Sequence, residues 1–195
     1  LAKVQKNGKW GYIDKTGKEV IPCIYVAVSY DFHEGLAWVR KNEKYGFIDE
    51  TGMEVIPFIY DGASDFYEGL AWVRKNGYCG FIDKTGKVVS PCQWKDAFDI
   101  REGLASVKDD NDKWGFIDKM GKLVIPCQWK WVDSFSEGLA KFKDDNGKCG
   151  FIDKTGRVVI SCQWKDAKSF SEGLVWVRDD NGKWLKIDKT GKIVE

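Results

Sequence analysis

Acid–base chemistry at neutral pH would fall first to His33, the single histidine among 195 residues. A general base, a triad or a zinc site built on it would need partners that meet it, and no other copy of its segment carries a histidine. It reads as an exposed loop residue. Two sets of carboxylates recur along the chain: Asp14, Asp49, Asp83, Asp118, Asp153 and Asp188, and Glu34, Glu68, Glu102, Glu137 and Glu172. Glycoside hydrolysis needs one pair in a distinctive cleft, with the two pKa values pushed apart. A carboxylate that stands in equivalent surroundings in every unit does not meet that need. The Asp set reads as closing turns, and the Glu set as accepting backbone N–H groups ahead of a strand. The runs Asp109-Asp110-Asn111-Asp112 and Asp144-Asp145-Asn146 offer hard oxygen ligands but lack the full calcium loop and its closing Glu. They read as hairpin turns. No glycine-rich phosphate loop, dinucleotide fingerprint or zinc-pair spacing is present. The expectation is a non-catalytic chain with no catalytic residues, no cofactor and no metal.

The elements that carry these residues repeat. KWGYIDKTGK at 9–18 returns as KYGFIDETGM, YCGFIDKTGK, KWGFIDKMGK, KCGFIDKTGR and KWLKIDKTGK. EGLAWV at 34–39 returns four more times, and the phase set by Leu1, Leu36, Leu70, Leu104, Leu139 and Leu174 advances by 34 or 35 residues. One repeat domain over 1–195 therefore divides into units of about 1–35, 36–69, 70–103, 104–138, 139–173 and a shorter 174–195. Each unit predicts three short antiparallel strands: a leading strand of the LAWVRK type, a middle strand WGFID and a third strand KVVIP. Asn7-Gly8, Asn146-Gly147 and Asn181-Gly182 predict type I′ turns, which need positive φ at both central residues. In DKTG the Asp is suited to accept backbone N–H bonds and the Gly to be left-handed. Pro22, Pro57, Pro91 and Pro126 are expected to mark where the third strand stops pairing.

The recurring K-W-G-F-I-D-x-x-G-x-x-V-I-P core, with F-x-E-G-L-A-x-V after it, resembles the WG-repeat family, and the resemblance covers the whole chain. It implies tandem β-rich arrays, mostly bacterial, without established catalytic residues and with a binding or scaffold role. Cys79 and Cys149 at the Trp position depart from the pattern, as do Leu185-Lys186 in place of Gly-Phe.

The fold expected is all-β, with six three-stranded units stacked as an open superhelix; a five- or six-bladed propeller is the alternative. Propeller blades usually have four strands and a period of ~40–50 residues. The residue after the middle-strand glycine is Tyr12, Phe47, Phe81, Phe116 and Phe151, then Lys186. A terminal unit of an open array needs such a polar outer face. Tyr12 keeps the aromatic and Leu1 begins mid-repeat, so the array is expected to continue before Leu1, in a longer chain or by end-to-end packing.

The six cysteines divide into two groups. Cys23, Cys92, Cys127 and Cys162 hold one repeat position, and Cys79 and Cys149 replace the middle-strand aromatic. With Thr85-Gly86 and Thr155-Gly156 as two-residue turns, Cys79 falls opposite Cys92 and Cys149 opposite Cys162. The same count pairs Trp10 with Cys23, Tyr45 with Phe58 and Trp114 with Cys127. Two disulfides in an oxidising setting are one expectation, with Cys23 and Cys127 reduced, and they would place the protein outside the cell or on its surface. Small buried thiols filling a core are the other. A three-residue loop with a glycine bulge would shift the register by one.

The third residue of the leading strand is Lys3, Trp38, Trp72, Ser106, Lys141 and Trp176. A position that accepts Lys, Ser and Trp is expected to face solvent. Trp38, Trp72 and Trp176 are therefore the candidate binding residues, with Trp38 and Trp72 at the centre. Thirty-one basic and 30 acidic residues, spread singly, argue against nucleic acid or an anionic membrane as partner. No apolar run reaches the ~18 residues of a membrane helix. Protein interaction or self-assembly is the expected role, and a carbohydrate-binding surface, with sugars on exposed aromatic rings, is the alternative.

Overall fold

The computed structural model describes residues 1–194, and they form strands and turns without a helix. Each repeat builds its own antiparallel sheet, giving six sheets of three or four strands, none closed on itself. By their contacts the residues fall into two compact halves, 1–93 and 94–195.

The second repeat shows the plan. Its leading strand, Leu36–Lys41, pairs with the middle strand, Lys44–Asp49, which pairs with the edge strand, Glu54–Tyr60. The connector ahead of it adds a fourth strand of two residues, Ala27–Val28, against Arg40 and Val39. The sequence pattern predicts only three strands, because two residues carry no periodicity. Sheets two to five have this four-stranded order, while among the described residues the first lacks the short strand and the sixth the edge strand.

Alternation sends the two faces of a sheet to different neighbours. In the first half, Tyr12, Ile21 and Tyr25 of sheet one meet Val28, Ala37, Val39 and Ile48 of sheet two. Leu36, Phe47, Ile56 and Tyr60 on the opposite face meet Phe66, Ala71, Val73 and Ile82 of sheet three. The second half repeats this with Phe116 and Ile125 against Phe135, Ala140 and Ile152, and with Phe151 and Ile160 against Phe170, Val175 and Ile187. Within each half the core lies between successive sheets, so each repeat depends on its neighbours to bury its faces. The middle-strand aromatic tilts against a connector Phe of the following repeat: Tyr12–Phe32, Phe47–Phe66, Phe116–Phe135 and Phe151–Phe170 all have centroids 4.8–4.9 Å apart. Lys186, at that position in repeat six, instead places Nζ 5.5 Å over the Trp176 ring.

The turns divide by half. Asn7-Gly8, Asn42-Glu43 and Asn76-Gly77 have positive φ at both central residues, as a type I′ turn requires. Asn146-Gly147 and Asn181-Gly182 do not; only their glycines are left-handed. There the leading Asp144 and Asp179 accept the N–H of Lys148 and Lys183, each at 2.8 Å, closing a longer loop. DKTG closes in the same way: Asp14 Oδ1 accepts from Thr16 N, Thr16 Oγ1 and Lys18 N at 2.6–3.0 Å, and Gly17 has φ of +85°.

The prolines do not end the edge strands. Pro22 lies inside Glu19–Tyr25, within a bulge: Tyr12 pairs with Ile21 and Trp10 with Tyr25, so three residues stand opposite Gly11 alone. A residue without an N–H is suited to such a break in the ladder. The bulge folds over the glycine. At Gly115 an added Cβ would stand 2.5 Å from the Ile125 carbonyl oxygen and 2.8 Å from Cys127 N, and at Gly80 2.6 Å from the Ser90 oxygen. The middle strand therefore needs glycine at this position for space. Leu185 has no such bulge over it among the described residues, and packs against the last core cluster.

Candidate functional site

The third residue of the leading strand sits beside the short strand, on the face turned to the next repeat. Trp38 packs half-buried against the cluster that includes Ala63 of the next short strand, its ring 5.4 Å from Tyr45. Trp72 is also half-buried, with its ring against Gly62 of its own sheet. Trp176 is more open, at 39 %. Ser106 is 1 % exposed, which corrects the expectation that this position faces solvent throughout. The lysines are tolerated because each ammonium finds a carbonyl of the following short strand, Lys3 at Val28 O (3.2 Å) and Lys141 at Ala167 O (2.7 Å). The position is a junction between repeats, and its occupants differ in how they fill that junction.

A second recurrent feature is the Glu-Gly corner ahead of each leading strand. Glu34-Gly35, Glu68-Gly69, Glu102-Gly103, Glu137-Gly138 and Glu172-Gly173 all have positive φ at both residues, making a two-residue turn closed by pairs such as His33 N to Leu36 O at 2.9 Å. Glutamate is an uncommon left-handed residue. Its carboxylate reaches the next corner: Glu34 accepts from Gly69 N (3.1 Å), Glu102 from Gly138 N (3.0 Å) and Glu137 from Gly173 N (2.8 Å). A turn lysine of the next repeat completes the clasp, with Lys154 at 3.0 Å from Glu102 and Lys189 at 3.2 Å from Glu137. The Gly173 amide, then Lys189, hold the Glu137 carboxyl below its usual pKa. Glu34, Glu102 and Glu137 thus tie one repeat to the next, and His33 lies 3.5 Å from Asp65 at one such corner.

The cysteine register is corrected by the bulge. The one-residue shift of a three-residue glycine-bulge loop holds at the turn, where Ile152 pairs with Val158, but the bulge beyond Ile160 moves the register further, so that Cys149 stands opposite Trp164, Trp114 opposite Trp129, and Tyr45 opposite Tyr60. None of the six cysteines, Cys79, Cys92, Cys149 and Cys162 among them, forms a disulfide, and the inference of a secreted setting from oxidised pairs loses its premise. Instead Cys92 and Cys127 reach over the bulge towards the carbonyls of Val73 (3.8 Å) and Val107 (3.9 Å). Burial pushes the Cys127 and Cys162 thiols up to about 11, so they stay protonated and weakly nucleophilic at neutral pH. Burial likewise pushes the Tyr12 phenol, which donates to Ser29 O at 2.8 Å, up to about 12.

The outer surface is less uniform than the junctions. Edge strands expose aliphatic side chains at two neighbouring repeat positions: Val20, Val55 and Val124 at one, and Val88, Leu123 and Val158 one residue earlier. The first two repeats add Ile24 (45 %) and Ile59 (42 %), where repeats three to five carry Gln93, Gln128 and Gln163. Ile59, Tyr60, Val88 and Pro91 also line an apolar groove of about 250 Å³. The two most open indoles each carry cations over the ring: Lys186 over Trp176, and Arg178 (5.4 Å) and Lys168 (5.8 Å) over Trp184. Among the described residues no group of His, Cys, Asp and Glu is placed to hold a metal ion, and no helix is long and apolar enough to cross a membrane.

The model of the WG containing repeat matches residues 10–45, 45–79, 80–114, 114–149 and 150–184, and the chain belongs to that family. No curated protein matches it in sequence. Among solved structures it is similar to BamB from Moraxella catarrhalis, at 14 % identity and a TM-score of 0.53, over 99 % of this chain and 68 % of that one. It is also similar to Hsv2p from Kluyveromyces lactis, at 11 % identity and a TM-score of 0.53, over 88 % and 62 %. The Hsv2 of Kluyvelomyces marxianus gives 11 % and 0.52, and the chain spans 63 % of its length. These are propeller-like β-repeat folds, and at such identities the likeness is one of fold.

Proposed function

We propose that the chain is a non-catalytic repeat scaffold that binds a protein partner, and that the aliphatic edge of its first two repeats makes the contact. The observation that carries this reading is the exposure of Ile24 and Ile59 at one repeat position and of Val20 and Val55 at another. Single exposed aliphatics are ordinary; a row in repeat phase on unpaired strand edges is a surface a partner can cover. Trp38 and Trp72 support it from the junctions, as the rings that fill the space between repeats, and Trp176, the most exposed of the three, has Lys186 over its ring. A carbohydrate surface would present open indole faces, whereas the open indoles here carry cations over them.

The test uses the chain's own repeats as the source of substitutions. Ile24→Gln with Ile59→Gln installs what repeats three to five carry, so folding should persist. A pull-down with both proteins, beside a glycan array on the same preparations, should give a saturable protein partner for the wild type only. Equal capture by the double variant, or a glycan as the sole ligand, would contradict the proposal.

A further inference from the structure

The fifth repeat departs from its neighbours where its short strand meets its leading strand. In repeats four and six that strand opens with Asp96 and Asp166, opposite Lys108 and Arg178 in the ladder. Arg178 Nη2 lies 3.3 Å from Asp166. In repeat five the position is Trp131, opposite Lys143, so an indole stands where the sister repeats place a carboxylate against the cation. The same repeat has Lys141 at the junction position, its Nζ 5.1 Å over the Trp131 ring. Lys130 precedes the indole, and the four residues line an open groove of about 460 Å³.

The nearby carboxylates are engaged elsewhere. Asp133 accepts from Ser134 N (3.0 Å) and Ser169 Oγ (3.3 Å) and lies 3.5 Å from Lys141. Asp145 is ion-paired to Lys113 at 2.7 Å and feels Lys130 only at longer range. Among the described residues no carboxylate forms an ion pair with Lys130 or Lys143. The groove therefore presents cationic donors around an aromatic platform and no side-chain acceptor. Sugar hydroxyls are recognised by donors and acceptors together, whereas carboxylates need donors alone.

We infer that this groove binds an acidic peptide segment, Glu or Asp side chains beside an apolar or aromatic one, carried by the protein partner. The inference rests on the scaffold reading for its partner, but its site is separate from the strand edges of repeats one and two. A hexaglutamate peptide ending in Phe, titrated into the whole chain and followed by isothermal titration calorimetry, tests it. Saturable binding is expected, weakened at least about tenfold by Trp131→Asp or by Lys143→Gln, and lost at 1 M salt, where the Debye length falls to ~3 Å. Asp is the residue the sister repeats carry there, so W131D should keep the thermal midpoint; K143Q gives an independent reading if it does not. No saturable binding, equal binding by both variants, equal binding of a hexaglutamine-Phe peptide, or tighter binding of tetragalacturonate would each overturn it. A captured partner lost by the Ile24/Ile59 double variant but kept by W131D would overturn the groove while sparing the scaffold reading. Peptide binding by a chain that captures no partner would support the groove and overturn the edge.

Discussion

Residues 1–93 close their first hairpins with two-residue turns, and residues 94–195 with acidic loops that reach across to the neighbouring repeat. Lys113 pairs with Asp145 at 2.7 Å, and Lys148 with Asp180, so the tips of repeats four, five and six are bridged by charge. The edge strands differ as well, though not by half: Ile24 and Ile59 stand in repeats one and two, and Gln93, Gln128 and Gln163 in repeats three to five. Beneath these differences the frame is the same. Both halves fold a bulge over a glycine, turn on an Asp-closed loop and clasp the next repeat through a Glu-Gly corner. Positions that answer to backbone geometry are held constant, and positions that answer only to solvent or to a neighbour's side chain vary. A binding function is sought among the second kind.

The largest effect should come from the shared frame, and it should not distinguish the halves. Gly46→Ala and Gly115→Ala each push a methyl group against bulge backbone, which has no side chain to move aside. Each should cost about 3 kcal/mol in urea unfolding. A cost at only one of the two sites would break the claim of a common frame.

The corner clasp comes next. Glu102 has φ of +51° and accepts from Gly138 N, so it combines a strained backbone with a favourable contact. Glu102→Ala should lower the unfolding midpoint, and Glu102→Gly should lower it by about 1 kcal/mol less, because glycine relieves the left-handed conformation. Equal losses would mean that the strain is absent.

Acid should weaken both halves in the same pH range. The hydroxyls of Thr16, Thr51, Thr85, Thr155 and Thr190 hold the carboxyls of Asp14, Asp49, Asp83, Asp153 and Asp188 below their usual values. A folded pKa below the unfolded one, ~3.9, gives stability that is present above that value and lost as pH falls through the folded pKa. Thr155→Val should shift acid unfolding to higher pH, read by circular dichroism across a pH series. An unchanged midpoint would remove these turns from the account of acid stability.

The smallest effect belongs to the feature that differs most visibly. Asp145 and Asp180 are exposed, so Asp145→Asn and Asp180→Asn should leave the melting temperature unchanged at 0.5 M salt and lower it slightly at low salt. A salt-independent loss would give the acidic tips a structural role that the first half lacks.

Much of the frame was legible in the sequence, since it depends on residues with marked backbone preferences. The six-fold repeat, the Asp-closed DKTG turn and the Asn7-Gly8 hairpin follow from glycine, asparagine and aspartate at fixed spacing. Glu-Gly was read only for its carboxylate, because glutamate carries no left-handed signal of its own; the five-fold recurrence of the pair was the available sign. The bulge was hidden by Pro22 and its counterparts, which suit a strand end equally well, and with it went the cysteine register. Trp38 and Trp72 were placed by their variability alone, and variability at a junction between sheets resembles variability at a surface. Trp131 stands where the connectors of repeats four and six carry Asp96 and Asp166, but its meaning needed the ladder partner, Lys143.

Hydrogen exchange on the chain with and without its captured partner tests the edge proposal most directly. Outward amides of an unpaired edge strand exchange readily and become protected when a partner covers them. Slowed exchange is expected in Glu19–Tyr25 and Glu54–Tyr60, with Leu123–Trp129 and Val158–Trp164 unchanged. Protection confined to the second-half edges, or no protection at either first-half edge, would contradict the account.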